Sequence, residues 1–184
     1  MKKTIIIILI IVVAAALFLF SYYNKFVTAS ENIDGQWAQV ETQYQRRFDL
    51  IPNLVESVKG IMTQEQEVFG NIADARTKYA GAASIDEKAA AAGEVESALA
   101  RLLVIMENYP ELKSAENVQS LMAQLEGTEN RISVERKRFN DIVRDYNVMV
   151  KRFPGNILAG IFGFDERNYF EAAEGAETAP TVEF

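Results

Sequence analysis

The 184-residue chain has no histidine and no cysteine, a single tryptophan and four prolines. Without histidine the Glu-x-x-His ligand pairs of helical di-iron centres cannot form, and a nucleophilic triad loses its usual base. Without cysteine there is no thiol chemistry, no disulfide and no lipid-carrying cysteine, a composition that suits an oxidising compartment without exploiting it. Neither a G-x-x-x-x-G-K nor a G-x-G-x-x-G phosphate loop is present. Aspartate and glutamate are plentiful, but nothing in their spacing separates a catalytic pair from solvated helix faces. The expectation is a protein that is not an enzyme and takes no metal or cofactor.

What the chain does have is an unbroken apolar run from Ile5 to Phe20 behind Lys2 and Lys3. From Thr4 through Tyr23 there are 20 residues, which at ~1.5 Å per residue span a hydrocarbon core of roughly 30 Å. Tyr22 and Tyr23 fall where an interfacial aromatic belt would hold a spanning helix, and Lys25 follows them. A cleaved signal peptide is the competing reading, with Val27 and Ala29 as small residues of a cleavage site, but they lie well past the apolar run. The amino terminus, Lys2 and Lys3 outweigh Lys25, so the positive-inside bias puts the N-terminus in the cytoplasm and the remaining chain outside it.

With Lys2, Lys3 and Lys25 set aside, 16 of the 19 basic residues face 26 acidic ones, a net of −10. Such a surface repels phosphate backbones and excludes nucleic acid as a partner. The 159 residues beyond the anchor suffice for one core.

Helical spacing dominates that remainder. A first amphipathic stretch carries Phe26, Ile33, Trp37, Val40, Tyr44, Phe48 and Ile51, with nothing before Ser30 to force a break from the apolar run. Asp49 and Pro52 resemble a cap and a first-turn proline, predicting a second helix from about Leu50 with the stripe Leu54, Val58, Ile61, Val68, Ile72, Ala75 and Tyr79. In the competing layout Pro52 is a kink inside one long helix ending at Ala80. Ser84 and Glu87 form a capping box for a third helix with the seam Val95, Leu99, Leu102 and Met106, stopped at Asn108-Tyr109-Pro110. Ser114 is the expected cap of a fourth helix, lined by Val118, Leu121, Leu125, Ile132, Phe139, Ile142, Tyr146, Met149 and Phe153 and closed by Pro154. The predicted fold is all-α: a membrane anchor over 1–25, an antiparallel up-and-down four-helix bundle over 26–164, and an acidic, disordered tail over 165–184.

Several motifs in this order resemble the LemA family: Gln45-Arg46-Arg47-Phe48-Asp49-Leu50-Ile51-Pro52-Asn53-Leu54-Val55-Glu56-Ser57-Val58-Lys59-Gly60, Ala75-Arg76, the turn from Glu107 to Lys113, Thr128-Glu129-Asn130-Arg131-Ile132 with Arg136, Tyr146-Asn147, and Phe153-Pro154-Gly155-Asn156 on to Phe162-Gly163-Phe164. The resemblance implies a bacterial single-pass membrane protein with a helical-bundle domain and envelope partners such as membrane peptidases, and it brings no catalytic residues.

Two groups stand out as candidate sites. Arg46, Arg47 and Asp49, with Glu129, Asn130 and Arg136, would meet in an antiparallel bundle as a charged cluster, acting as register-fixing ion pairs or as a docking site for a charged group. Ile157, Leu158, Ile161, Phe162 and Phe164 form an apolar stretch among glycines, too short to span a bilayer, that must bury against the domain, a second subunit or the membrane interface. The partners expected are the lipid bilayer through residues 4–23, further copies of the chain in a homo-oligomer, and another membrane protein. A membrane-anchored scaffold or adaptor acting through self-assembly and protein–protein interaction is the functional expectation, and an extracytoplasmic small-ligand sensor or a regulatory partner of a membrane peptidase the alternative.

Overall fold

The computed structural model describes residues 2–170, apart from the side chain of Lys113. Six helices follow one another: α1 Lys2–Lys59, α2 Gln66–Gly81, α3 Ile85–Met106, α4 Pro110–Ser114, α5 Glu116–Lys151 and α6 Gly155–Phe162. No strand occurs among the described residues. The described residues divide into two compact units, one built from the chain up to Ala38 with Lys137–Tyr169, the other from Gln39–Arg136 with Phe170.

In the first unit, α1 passes without a break from an apolar segment exposed on every side into a buried stripe of Phe26, Ile33 and Trp37. Trp37 meets Phe139 of α5 edge-on at 5.6 Å, and Val143, Tyr146 and Val150 extend that buried row. The apolar segment is long and apolar enough to cross a membrane.

The second unit holds the stripe Val40, Tyr44, Phe48, Ile51, Leu54 and Val58 of α1 against α2, α3 and α5 side chains such as Tyr79, Leu99 and Ile132, all buried. Residues 82–84 join α2 to α3. Lys78 and Glu94, near that connection, pair at 2.6 Å, while Val68 shares a cleft with Arg101 further along, so the two helices form an antiparallel hairpin. Ser84 caps α3 reciprocally with Glu87, as its spacing predicts.

Pro52 does not start a helix. It lies inside α1, which continues to Lys59. An interior proline costs about 3 kcal/mol through its missing N–H and ring clash, but Ile51, Leu54 and Val58 on either side are fully buried, and their burial holds the helix through it. The break falls instead at 60–65, and the register changes there: Ile61, expected in the stripe, is 42% exposed, while Met62 is fully buried. Ser114 is likewise not the cap of the long helix. It ends α4, its hydroxyl donating back to the Glu111 carbonyl at 3.0 Å, and α5 begins at Glu116.

The glycine-interleaved apolar stretch after Pro154, for which the sequence suggested no regular element, is helical. Residues 165–167, expected to begin a disordered tail, are held to the first unit: the Tyr146 hydroxyl donates to the Asp165 carbonyl at 2.9 Å, and the Asn147 amide exchanges two hydrogen bonds with the Arg167 backbone at 2.8 and 2.9 Å. The acidic segment from 171 onward lies outside the described residues.

Candidate functional sites

The charged cluster of the second unit grows from three helices. Arg47 follows the buried Tyr44 by three residues on α1, which turns its guanidinium inward; it is only 8% exposed. Its Nη1 pairs with Glu129 of α5 and lies 3.7 Å from Glu96 of α3. Arg136 of α5 pairs with the same Glu96 and donates from Nε to the Tyr44 hydroxyl at 2.9 Å. Its guanidinium also stands 5.3 Å from the Tyr44 ring centre and 4.4 Å from that of Phe170. Two positive and two negative groups balance: Glu129, its side chain 44% exposed, reaches the surface, and the three more buried charges persist because each has an opposite partner.

Of the six residues expected here, Arg47, Glu129 and Arg136 converge. Arg46, Asp49 and Asn130 are exposed, and Asp49 accepts a local hydrogen bond from Gln45 at 2.9 Å. Glu96 and the Tyr44 hydroxyl were missed as members. The available signal was an acid one residue past Val95 on the edge of the α3 seam, where an apolar or neutral residue would ordinarily sit. Burial raises the Glu96 carboxyl above its ordinary value; Arg136 pulls it down, Glu129 adds to the rise, Arg47 adds to the pull, and the rise prevails. Burial also raises Tyr44, and pushes Tyr79, with help from Glu41, up to about 12. Such a constellation has no open donor set for a metal, and no group of three or more metal-ligating residues occurs among the described residues.

Beside the cluster a half-open cavity of about 670 Å³ is lined by Arg47, Leu99, Leu103, Met106, Met122 and Glu129 among others. The Arg47 Nε is buried without a hydrogen-bond partner. A largely apolar hollow with a few polar groups in its lining has the make-up of a small-ligand site.

The second site lies in the first unit. Gly155 opens α6 at a point where any Cβ would collide with the Met149 carbonyl oxygen, so glycine alone permits the close approach of α6 to the end of α5. At its other end Gly163 takes φ 75°, left-handed, and the Phe164 amide donates back to the Ala159 carbonyl at 2.9 Å, closing the helix in a Schellman-type turn. That turn returns Phe164 to α1. It stacks on Phe26 at 5.1 Å and meets Tyr23 edge-on at 5.9 Å, while Phe162 meets Tyr23 edge-on at 5.3 Å. Leu158 is buried; Ile157 and Ile161 point outward. The five apolar residues expected to act together are thus split, three packed inward and two exposed.

The LemA family model matches residues 36–184. Magnetosome protein MamQ of Magnetospirillum gryphiswaldense is 30% identical over 186 aligned residues, covering 87% of this chain and 68% of its own length. Magnetosome proteins MamQ 1 and MamQ 2 of Paramagnetospirillum magneticum are each 28% identical with the same coverage. Neither the family description nor these names states a catalytic activity.

Proposed function

We propose that this chain, which belongs to the LemA family, is a membrane-anchored helical scaffold or adaptor of the bacterial envelope that works by self-assembly and by docking other membrane proteins. The observation that carries the reading is the passage of α1 from a fully exposed apolar segment into the buried stripe of Phe26, Ile33 and Trp37 with no linker between. A helix shared by bilayer and domain orients every copy in the same direction, so association in the membrane forgoes much of the orientational entropy that free subunits lose. The helices beyond the anchor are taken as an antiparallel bundle, with the α2–α3 hairpin as one of its pairs. The charge bias of the first residues supports a cytoplasmic N-terminus with the domain outside. Protease added to intact spheroplasts should then digest the domain, and its protection would reverse the orientation.

Ligand sensing is the second reading, favoured by the cavity beside Arg47. Native mass spectrometry of the full chain, released from mild detergent, separates the two. Scaffolding predicts multiples of the chain mass; a monomer carrying a small added mass would favour sensing instead.

A further inference from the structure

Helix α6 is apolar on both sides. Leu158 and Ala159 face inward, buried, while Ile157 and Ile161, one turn apart, are 55% and 68% exposed, and Phe153 just before the helix is 80% exposed. An eight-residue helix whose one polar side chain is Asn156, in its first turn, has no stable place at a water-facing surface, where its outer side would form an unsupported apolar patch. Its position supplies the missing solvent. Phe162 and Phe164 clamp α6 to Tyr23 and Phe26, and Tyr23 is three residues beyond Phe20, the last residue of the exposed apolar run, or ~4.5 Å along the helix axis. Exposed cationic side chains flank the contact in the chain, Lys25 on α1 and Arg152 before α6, each able to reach headgroups while its alkyl stem stays apolar.

We infer that α6 is a membrane-interface helix, which lays Phe153, Ile157 and Ile161 into the boundary between headgroups and acyl chains of the same bilayer that holds α1. The occupant of this face is lipid, not a second copy of the chain. Interfacial helices of this kind sit ~5–10 Å into the headgroup and acyl boundary, the depth at which an interfacial Tyr23 would hold α6. The two contacts give each subunit a second foot on the membrane and fix the rotation of α1 about its axis. The inference rests on the anchor reading of α1, and the experiment keeps the two apart.

The chain's lack of cysteine makes single-site labelling direct. A spin label is placed by Ile161→Cys, Ile157→Cys, Ile11→Cys or Val104→Cys in the full chain, reconstituted into phosphatidylcholine–phosphatidylglycerol vesicles. Collisions with oxygen, which concentrates in lipid, are compared with collisions with a water-soluble nickel chelate. Val104, 66% exposed in the second unit, supplies the aqueous reference and Ile11 the lipid one. At 161 and 157 oxygen is expected to dominate, as at 11 and opposite to 104. Nickel dominance at 161 and 157 with oxygen dominance at 11 overturns the inference and leaves the anchor standing. Low access to both reagents at 161 and 157 also overturns it, placing these side chains between protein surfaces. Nickel dominance at 11 overturns the anchor and the inference together.

Discussion

The two units solve opposite problems. In the first, aromatic and aliphatic side chains run out to an apolar segment with no protein around it, and two glycines, Gly155 and Gly163, shape the backbone that returns Phe164 to α1. In the second, Arg47, Glu96 and Arg136 are drawn largely inward, with Glu129 at their outer edge and Arg136 on the Tyr44 hydroxyl, and they must neutralise one another. The difference teaches where each unit's strength should lie. Apolar packing stabilises by area and tolerates any pH, whereas a buried charge network gives back most of its Coulomb energy in desolvation and chiefly fixes which helix faces meet.

Truncating the first unit's core should therefore have the largest effect. Trp37→Ala or Phe139→Ala opens a cavity at an edge-on aromatic contact and should cost about 3–5 kcal/mol in denaturant unfolding. Losses below about 1 kcal/mol at both would mean that this contact is not part of the stabilising core. In the second unit, Glu96→Gln leaves Arg47 and Arg136 short of one negative charge but also removes a carboxylate whose charged form burial disfavours. The two effects oppose each other, and the expected net cost is about 1–3 kcal/mol, below that of breaking a fully buried pair. Replacing Arg47, Glu96 and Arg136 together with Met, Leu and Met should restore most of that loss; if the triple variant were weaker than the single one, the network would be a net source of stability and the contrast would fail. Gly155→Ala forces the Met149 carbonyl aside and should cost about 1–3 kcal/mol, read in the same unfolding assay, with Gly160→Ala, where a Cβ meets open space, as the near-silent comparison.

The smallest effect is in pH. Because Glu96 holds its proton more tightly when folded, its contribution is fully present below its ordinary value of 4.5 and is lost as pH climbs through the raised one. Glu87 behaves oppositely: amide hydrogen bonds from Ala83 and Ser84 lower it, so its contribution is present above 4.5 and is lost as pH falls through the lowered value. Stability measured against pH should lose its downward slope above 4.5 in Glu96→Gln and its rise below 4.5 in Glu87→Gln. A profile unchanged by either substitution would show that neither carboxyl is shifted by folding.

Much of this contrast was legible in residue spacing, because it follows from period and capping chemistry. The long apolar N-terminal helix, the Trp37–Phe139 seam, the Ser84–Glu87 box and the Asn108-Tyr109-Pro110 stop all depend on neighbours within a turn or two. Pro52 misled because its local preference for a first turn was overridden by tertiary burial of Ile51, Leu54 and Val58. Helix α6 was hidden because its three glycines, in a stretch of eleven residues, resemble a flexible segment; only the specific close approach at Gly155 and the left-handed Gly163 show that two of them build a fixed corner. The charged cluster was half legible. Arg47, Glu129 and Arg136 stood among the motif residues, but a partner on a third helix, Glu96, has no sequence neighbour that announces it.

Energy transfer between donor-labelled and acceptor-labelled full chains, co-reconstituted in one vesicle population and followed as lipid is added, tests self-assembly where it is proposed to occur. The scaffold account predicts transfer that persists on dilution within the bilayer, at a level set by subunit stoichiometry. Transfer that falls at every dilution to the value for randomly distributed molecules would contradict it.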